Sequence, residues 1–336
     1  MIRLDRVGKT YPGGTAAVAE LSLDVQRGEL CVLVGPSGCG KTTLMKMVNR
    51  LTEPTSGRVL LDGEDVAGLD PVALRRRVGY VIQGVGLFPH QRVRDNVGTV
   101  PRLLGWDRGR TRARTDELLD LVGLDPAVHG DRFPAELSGG QQQRVGVARA
   151  LAADPLVLLM DEPFSAVDPL ARERLQTQFL LIQQQLGTTV LMVTHDIDEA
   201  VRMGDRVAVL REGGHLEQHA APAVLLSEPA TPFVAEFVGS DRRVRALSLI
   251  ELDLADLAPD DGRPHEIVPA GATLAQVLAG LLAGDGTVAV EQDGRRCGTM
   301  TAEALLRQAG RSTSGGDPAD GGDPAGGGDP AGGGGE

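Results

Sequence analysis

Apolar and polar positions alternate with two different periods along this chain, and the switches between them mark out its elements. Ile2, Leu4 and Val7 stand among polar neighbours and read as a half-buried strand; strand patterning resumes over Val18–Val25 after the turn Tyr11-Pro12-Gly13-Gly14. Leu30–Val34, Leu156–Met160 and Thr189–Val193 are short unbroken apolar runs, the pattern of strands covered on both faces. Arg58–Leu61 and Val78–Ile82 read as further strands, and Pro71–Arg77 as a helix with Pro in its first turn and three arginines on a solvated face. From about 92 to 152 the period is helical, with Leu118, Leu119, Leu121 and Val122 on one face and a helix running from Gly139 towards Ala152. Leu175, Phe179, Ile182 and Leu186 give Pro169–Leu186 an apolar stripe. The short helix Ile197–Arg202 and a hairpin of Arg206–Leu210 with His215–Gln218 close the pattern. Strands alternating with helices predict an α/β domain ending near Gly239.

Residues 241–310 are aliphatic and contain no Phe, Tyr or Trp. Ile267–Pro269, Leu274–Leu282, Thr287–Val290, Arg296–Met300 and Thr301–Gln308 read as strand, helix, strand, strand and helix, with a turn at Asp293-Gly294. Residues 311–336 repeat Gly-Gly-Asp-Pro-Ala, cannot bury a core, and are expected to be disordered.

Composition narrows the function. The 336 residues are 41% apolar but only 3% aromatic, so the core is aliphatic. A net charge of −12 with no long basic run argues against nucleic acid as a partner. Cys31, Cys39 and Cys297 show no metal-ligand spacing, which points to a reduced compartment without disulfides. No leader pattern precedes Ile2-Arg3-Leu4, and no apolar run approaches the ~18 residues of a membrane span, so any transmembrane work is expected of another chain.

The chemistry centres on Gly35-Pro36-Ser37-Gly38-Cys39-Gly40-Lys41-Thr42-Thr43, set between a predicted strand and a predicted helix. In that context G-x-x-x-x-G-K-[ST] is a phosphate cradle. Its glycines let backbone N–H groups converge on phosphate oxygens, Lys41 reaches the β- and γ-phosphates, and Thr42 offers its hydroxyl to Mg²⁺. Asp161 ends a buried strand and is placed to position Mg²⁺, directly or through water. Glu162, adjacent, suits a general base for water; Gln83 and His195, at the ends of two other strands, suit orienting water or contacting the γ-phosphate. Tyr11 lies just upstream, where stacking on adenine is expected, and Ser138 is a natural N-cap for the helix from Gly139.

Taken together, these residues resemble the ATP-binding subunit of an ABC transporter: loop 35–43, Gln83, Leu137-Ser138-Gly139-Gly140-Gln141, Asp161-Glu162, Ser165-Ala166-Val167-Asp168 and His195, over residues 2–239. The resemblance implies a RecA-like core with an antiparallel β subdomain and a helical subdomain, and ATP with Mg²⁺ held through Thr42, Gln83 and Asp161. It implies a head-to-tail dimer in which each ATP lies between the loop of one chain and Ser138–Gln141 of the other, with Asp168 connecting the two sites. It also implies integral membrane permease subunits, a substrate-binding protein indirectly, and a place on the cytoplasmic face of the membrane. Lys46–Gly57, Arg75–Gln83, Leu87–His90, Phe164–Asp168 and Thr194–Ala200 are similar to importers of glycine betaine, carnitine, choline or proline, with one departure at Gly84-Val85-Gly86.

Residues 240–310 look like a single CBS motif, a segment these importers usually carry as a pair. Gly298 and Thr301 match its nucleotide pattern, but Ala304 replaces the ribose-binding Asp. The segment is therefore expected to pair with its copy in a second subunit, in a regulatory or bracing role, rather than to bind adenosine tightly. Two other functions compete: an importer motor for another polar solute such as an amino acid, and a soluble ABC ATPase acting on DNA or ribosomes, which the acidic charge disfavours.

Overall fold

The structure, a computed structural model, describes residues 1–314 apart from Val85 and Ala166; the expected tail beyond Ser314 and the departure at Val85 lie outside the described residues. It falls into two compact units, Met1–Ala246 and a second from Leu247 onward.

In the first unit β1 (Ile2–Thr10) pairs antiparallel with β2 (Ala16–Val25), and β3 (Leu30–Val34) opens a second sheet. β4 (Ser56–Leu61) and β5 (Glu64–Asp65) return to the first sheet, whose order is β2-β1-β4-β5. β6 (Val78–Val81), β7 (Val157–Asp161), β8 (Thr189–Thr194), β9 (Arg206–Arg211) and β10 (His215–Ala220) complete the second, in the order β10-β9-β3-β8-β7-β6. Its strands from β9 to β6 run parallel, with β10 antiparallel at the edge.

The unbroken apolar runs follow from burial on both faces. Val32, Val34, Met160 and Met192 point to a helical layer that includes Val145, Leu175 and Phe179. Cys31, Leu33, Leu159 and Leu191 point the other way, against the antiparallel sheet and the helix Lys41–Val48. The parallel strands carry the loop and the strand-end polar residues at their carboxyl ends, where open α/β sheets bind ligands.

The helical stretch after β6 is broken by glycines and prolines into Val93–Val97, Thr99–Leu103, Arg108–Leu121, Pro126–His129 and Gly139–Leu151, with a 3-10 turn at Pro134–Glu136. Leu118 and Leu119 are fully buried as the pattern requires. The arginines of Pro71–Arg77 do more than face solvent: Arg75 donates to the carbonyls of Asn49 and Arg50, capping the end of the helix Lys41–Val48.

The first unit runs to Ala246. The helix Arg242–Ala246 belongs to it, with Arg245 Nε 2.5 Å from Asp198 Oδ1. In the second unit β11 (Glu266–Pro269) runs parallel to β12 (Thr287–Gln292), which pairs antiparallel with β13 (Arg295–Thr301). Helices Leu274–Ala283 and Ala302–Ser314 flank this sheet, so the first residues assigned to the disordered tail are the last turn of a helix.

Gly79 shows how tightly β6 is held. A Cβ there would sit 2.5 Å from the Ala150 carbonyl oxygen and 2.9 Å from Leu158 Cδ1, and a backbone carbonyl cannot swing away. Gly79→Ala is expected to cost about 1–3 kcal/mol by overpacking, measured by denaturant unfolding. Gly68→Ala, where a Cβ meets nothing within 4 Å, is expected to stay within about 0.5 kcal/mol of wild type.

Candidate functional site

Gly35–Gly40 joins β3 to the helix Lys41–Val48. Its backbone is pressed between two sheets. A Cβ on Gly35 would meet the Leu210 carbonyl oxygen of β9 at 2.2 Å, and one on Gly40 the Ala17 carbonyl oxygen of β2 at 2.4 Å. Gly38 and Gly40 also hold φ of +80° and +100°, a region closed to most side chains. Cys39 is buried, while Pro36 and Ser37 are exposed at the tip.

Lys41 is buried, and its ammonium donates to the carbonyl oxygens of Gly35 at 2.7 Å and Pro36 at 2.9 Å. A buried cation held only by neutral carbonyls and a thiol within its own loop is suited to an anion. Thr42 and Thr43 follow in the first helical turn, and Thr42 Oγ1 donates to Asp161 Oδ1 at 3.3 Å. Burial holds the Asp161 carboxyl above its ordinary pKa, reinforced by Glu162, while the Thr42 bond and the charges of Lys46 and Lys41 oppose the rise. A hydroxyl and a carboxylate in contact beside a phosphate loop are an oxygen donor set that fits Mg²⁺.

Glu162 follows β7 with φ +46°, an uncommon conformation for a residue with a side chain, held where chemistry is expected. Both its oxygens are engaged: Gln83 Nε2 donates to Oε2 at 3.0 Å, and His195 Nδ1 lies 3.2 Å from Oε1. The structure thus brings Lys41, Thr42, Asp161, Glu162, Gln83 and His195 together at the carboxyl ends of β3, β7, β6 and β8. Thr42, rather than Gln83, is the contact of Asp161; Gln83 reaches Glu162 instead.

The remaining predicted residues stand apart. Ser138 caps the helix Gly139–Leu151, its Oγ accepting from Gln141 N at 3.3 Å while Gln141 Oε1 accepts from Ser138 N at 2.9 Å. Gly139 opens onto space, and a Cβ on Gly140 would meet only Leu175 Cδ1, at 3.8 Å. Asp168 caps the helix Pro169–Leu186 through Ala171 N, and Tyr11 is exposed beneath the Lys9 ammonium, 5.3 Å from its ring centroid. Among the described residues, no hydrogen bond joins Ser138–Gln141, Asp168 or Tyr11 to the loop.

One residue was not foreseen. Glu199, on the helix Ile197–Met203, lines a small polar cavity behind Glu162 with Arg172, Thr194 and His195. It is buried, and its Oε1 accepts from Gln176 Nε2 at 3.0 Å. In the sequence it is one of three acidic residues opening a short helix, of which only Asp196 caps it. A period that places Ala200, Val201 and Met203 inside was the available signal.

The family model described as ABC transporter matches residues 18–165. The chain is 52% identical over 264 residues to the osmoprotectant import ATP-binding protein OsmV of Salmonella typhimurium, covering 77% of this chain and 69% of that one. It is 45% identical over 313 residues to the glycine betaine uptake system ATP-binding protein YehX of Escherichia coli, covering 92% of this chain and all of that one. Among solved structures it is similar to a dimeric ATP-binding cassette in a post-hydrolysis state bound to ADP and Pi. That likeness has a TM-score of 0.59 and 34% identity, covering 66% of this chain and 99% of that one.

Glu199 also yields a pH test. Burial, opposed by hydrogen bonds from Thr194 and Gln176, raises its pKa in the folded chain. The charged carboxylate therefore opposes folding at neutral pH; the penalty fades as pH falls through the raised folded value and is gone below the unfolded value of about 4.3. Glu199→Gln is expected to melt above wild type at pH 7, the gap closing as pH falls towards 4. Thermal melts across that range check it; a variant that melts lower at neutral pH contradicts it.

Proposed function

The chain belongs to the ATP-binding proteins of ABC transporters, and we propose that it drives import of a quaternary-amine osmoprotectant such as glycine betaine, choline, carnitine or proline. The observation that carries the catalytic half is the pair of contacts on Glu162, which leave a carboxylate fixed by Gln83 and His195 beside the buried Lys41 and Asp161. The solute class is supported by the relatives, whose names are those of osmoprotectant and glycine betaine systems. Neither the loop nor the strand ends touch a solute in this reading, so the substrate is chosen elsewhere.

In the proposed site, Gly35–Thr43 and Lys41 hold the phosphates of ATP. Thr42 and Asp161, with Gln83 at hand, are the residues that would hold Mg²⁺, which supplies charge neutralisation on those phosphates when bound. Glu162 accepts the proton of the attacking water, Gln83 and His195 fix its carboxylate and orient that water, and Tyr11 stacks on adenine.

Ser138–Gln141 forms a helix N-terminus with an exposed hydroxyl and two glycines, an anion site with nothing in its own chain to serve. We assign it to the ATP held by a second copy, head to tail, with Asp168 near the junction. That a similar cassette, bound to ADP and Pi, is dimeric supports the pairing of two copies. Among the described residues, no helix is long and apolar enough to cross a membrane. We assign the coupling to separate permease subunits, reached on the cytoplasmic face, with a substrate-binding protein acting only indirectly; the import systems named for the relatives support this.

We assign the second unit a regulatory or bracing role through pairing with its copy. Leu282 and Leu306 are 79% and 68% exposed on its helices, apolar surface that such pairing covers. Ala304 is buried in that unit's core, so a carboxylate at this position has no route to a ribose, which supports the reading against tight adenosine binding.

Reconstitution with permease and binding protein tests the whole reading. Labelled betaine or choline should accumulate only with ATP, and Glu162→Gln should retain ATP binding while losing on the order of 10²–10⁴ in hydrolysis and, with it, uptake. Accumulation of an amino acid in place of every quaternary amine would overturn the solute class. A variant hydrolysing near the wild-type rate would overturn the role of Glu162.

A further inference from the structure

Away from the phosphate loop, at the opposite end of β3, three side chains of different chemistry converge. Glu29 immediately precedes β3, Cys31 is its second residue, and His219 lies on the edge strand β10. A carboxylate oxygen, the Cys31 sulfur and an imidazole nitrogen all lie within 4.8 Å of one another. The i, i+2 spacing puts Glu29 and Cys31 on one face of the strand, and Cys31 Sγ stands 3.8 Å from His219 Nε2. Thiolate and imidazole ligands at ~2.3 Å and ~2.05 Å from a tetrahedral zinc ion stand about 3.6 Å apart, so this pair already has nearly the required separation.

A second observation points to a ligand. Glu29 is 9% exposed, and only one of its oxygens is used: Oε2 accepts from Gln26 N at 2.6 Å, while Oε1 is buried with no hydrogen-bond partner. An unpaired buried carboxylate oxygen costs free energy unless something cationic meets it. The frame around it is rigid. Gly28 N donates to Thr189 Oγ1, Gln183 Nε2 to Gly28 O, and Leu30 N to Asp205 Oδ2. The nearby charges are mixed: Asp205 and Asp24 favour a cation, while Arg206, whose Nη2 is occupied by the His219 carbonyl, opposes one.

We propose that Glu29, Cys31 and His219 form a site for a borderline-soft divalent ion of the zinc class, with water as a fourth ligand. Sulfur, nitrogen and oxygen together select Zn²⁺ over Mg²⁺, which takes oxygen ligands. On binding, the Cys31 thiol loses its proton to solvent and the sulfur takes the ion, so about one proton is released per ion bound. The ion would fasten the start of the loop-bearing strand to the sheet edge.

The test uses the full chain, stripped of metal and free of nucleotide, titrated with Co²⁺ and then displaced with Zn²⁺. One equivalent of Co²⁺ should give a thiolate-to-cobalt charge-transfer band that Zn²⁺ abolishes and millimolar Mg²⁺ does not. Cys297→Ser, which removes the exposed thiol, should keep the band; Cys31→Ser and His219→Gln should lose it or weaken binding at least tenfold. Zn²⁺ should raise the melting midpoint of wild type and leave that of Glu29→Gln, a variant with a nearly isosteric side chain, unchanged. Absence of the band in wild type, its survival in Cys31→Ser, its loss in Cys297→Ser, or an equal Zn²⁺ shift in Glu29→Gln would each overturn the proposal.

Discussion

The phosphate loop is shaped by two neighbours that leave it no room. At Gly35 the carbonyl of Leu210 occupies the space of a side chain, and at Gly40 the carbonyl of Ala17 does the same. One carbonyl belongs to the parallel sheet and the other to the antiparallel sheet, so the loop takes its form only when both sheets are docked. Lys41 is buried for the same reason, its ammonium held by carbonyls of the loop it closes. The antiparallel sheet, which contributes no catalytic residue to the proposed site, is therefore a condition of nucleotide binding.

From that constraint the proposed site divides into two kinds of residue. Lys41, Thr42, Asp161, Glu162, Gln83 and His195 are gathered at the ends of parallel strands: Thr42 touches Asp161, Gln83 and His195 touch Glu162, and Lys41 is held by its own loop. Ser138–Gln141 and Asp168 cap their own helices, and Gln141 Nε2 also lies 3.4 Å from His129 Nε2. A helix N-terminus with open glycines, joined to the phosphate loop by no hydrogen bond among the described residues, is the physical basis for proposing that it serves a second copy.

Much of this was legible in the sequence, for a clear reason. Strands buried on both faces leave unbroken apolar runs, and the loop motif between such a run and a helix fixes the rest of the topology around it. Helix ends were legible where a cap residue stands at the right spacing, as at Ser138. What stayed hidden depends on distant strands meeting. Glu199 looks like one more solvated acid until its helix packs over β8. Cys31 sits inside an apolar run, and its partner His219 lies 188 residues further on, so no local spacing could have revealed the pair. Arg75 is exposed as expected, but its bonds to the carbonyls of Asn49 and Arg50 span too much sequence to leave a local signal. The polar helix Arg242–Ala246, joined to Asp198 by an ion pair, has no apolar stripe that would announce it in the sequence.

The division between the loop and the opposite helix end is the central claim, and one measurement meets it directly. Place Ser138→Arg in a Glu162→Gln background and follow both ATP affinity and mass by light scattering. The parent should form a dimer in ATP, whereas the added arginine should leave monomer affinity unchanged and prevent the dimer. A loss of ATP affinity in the monomer, or a dimer that forms as before, would contradict it.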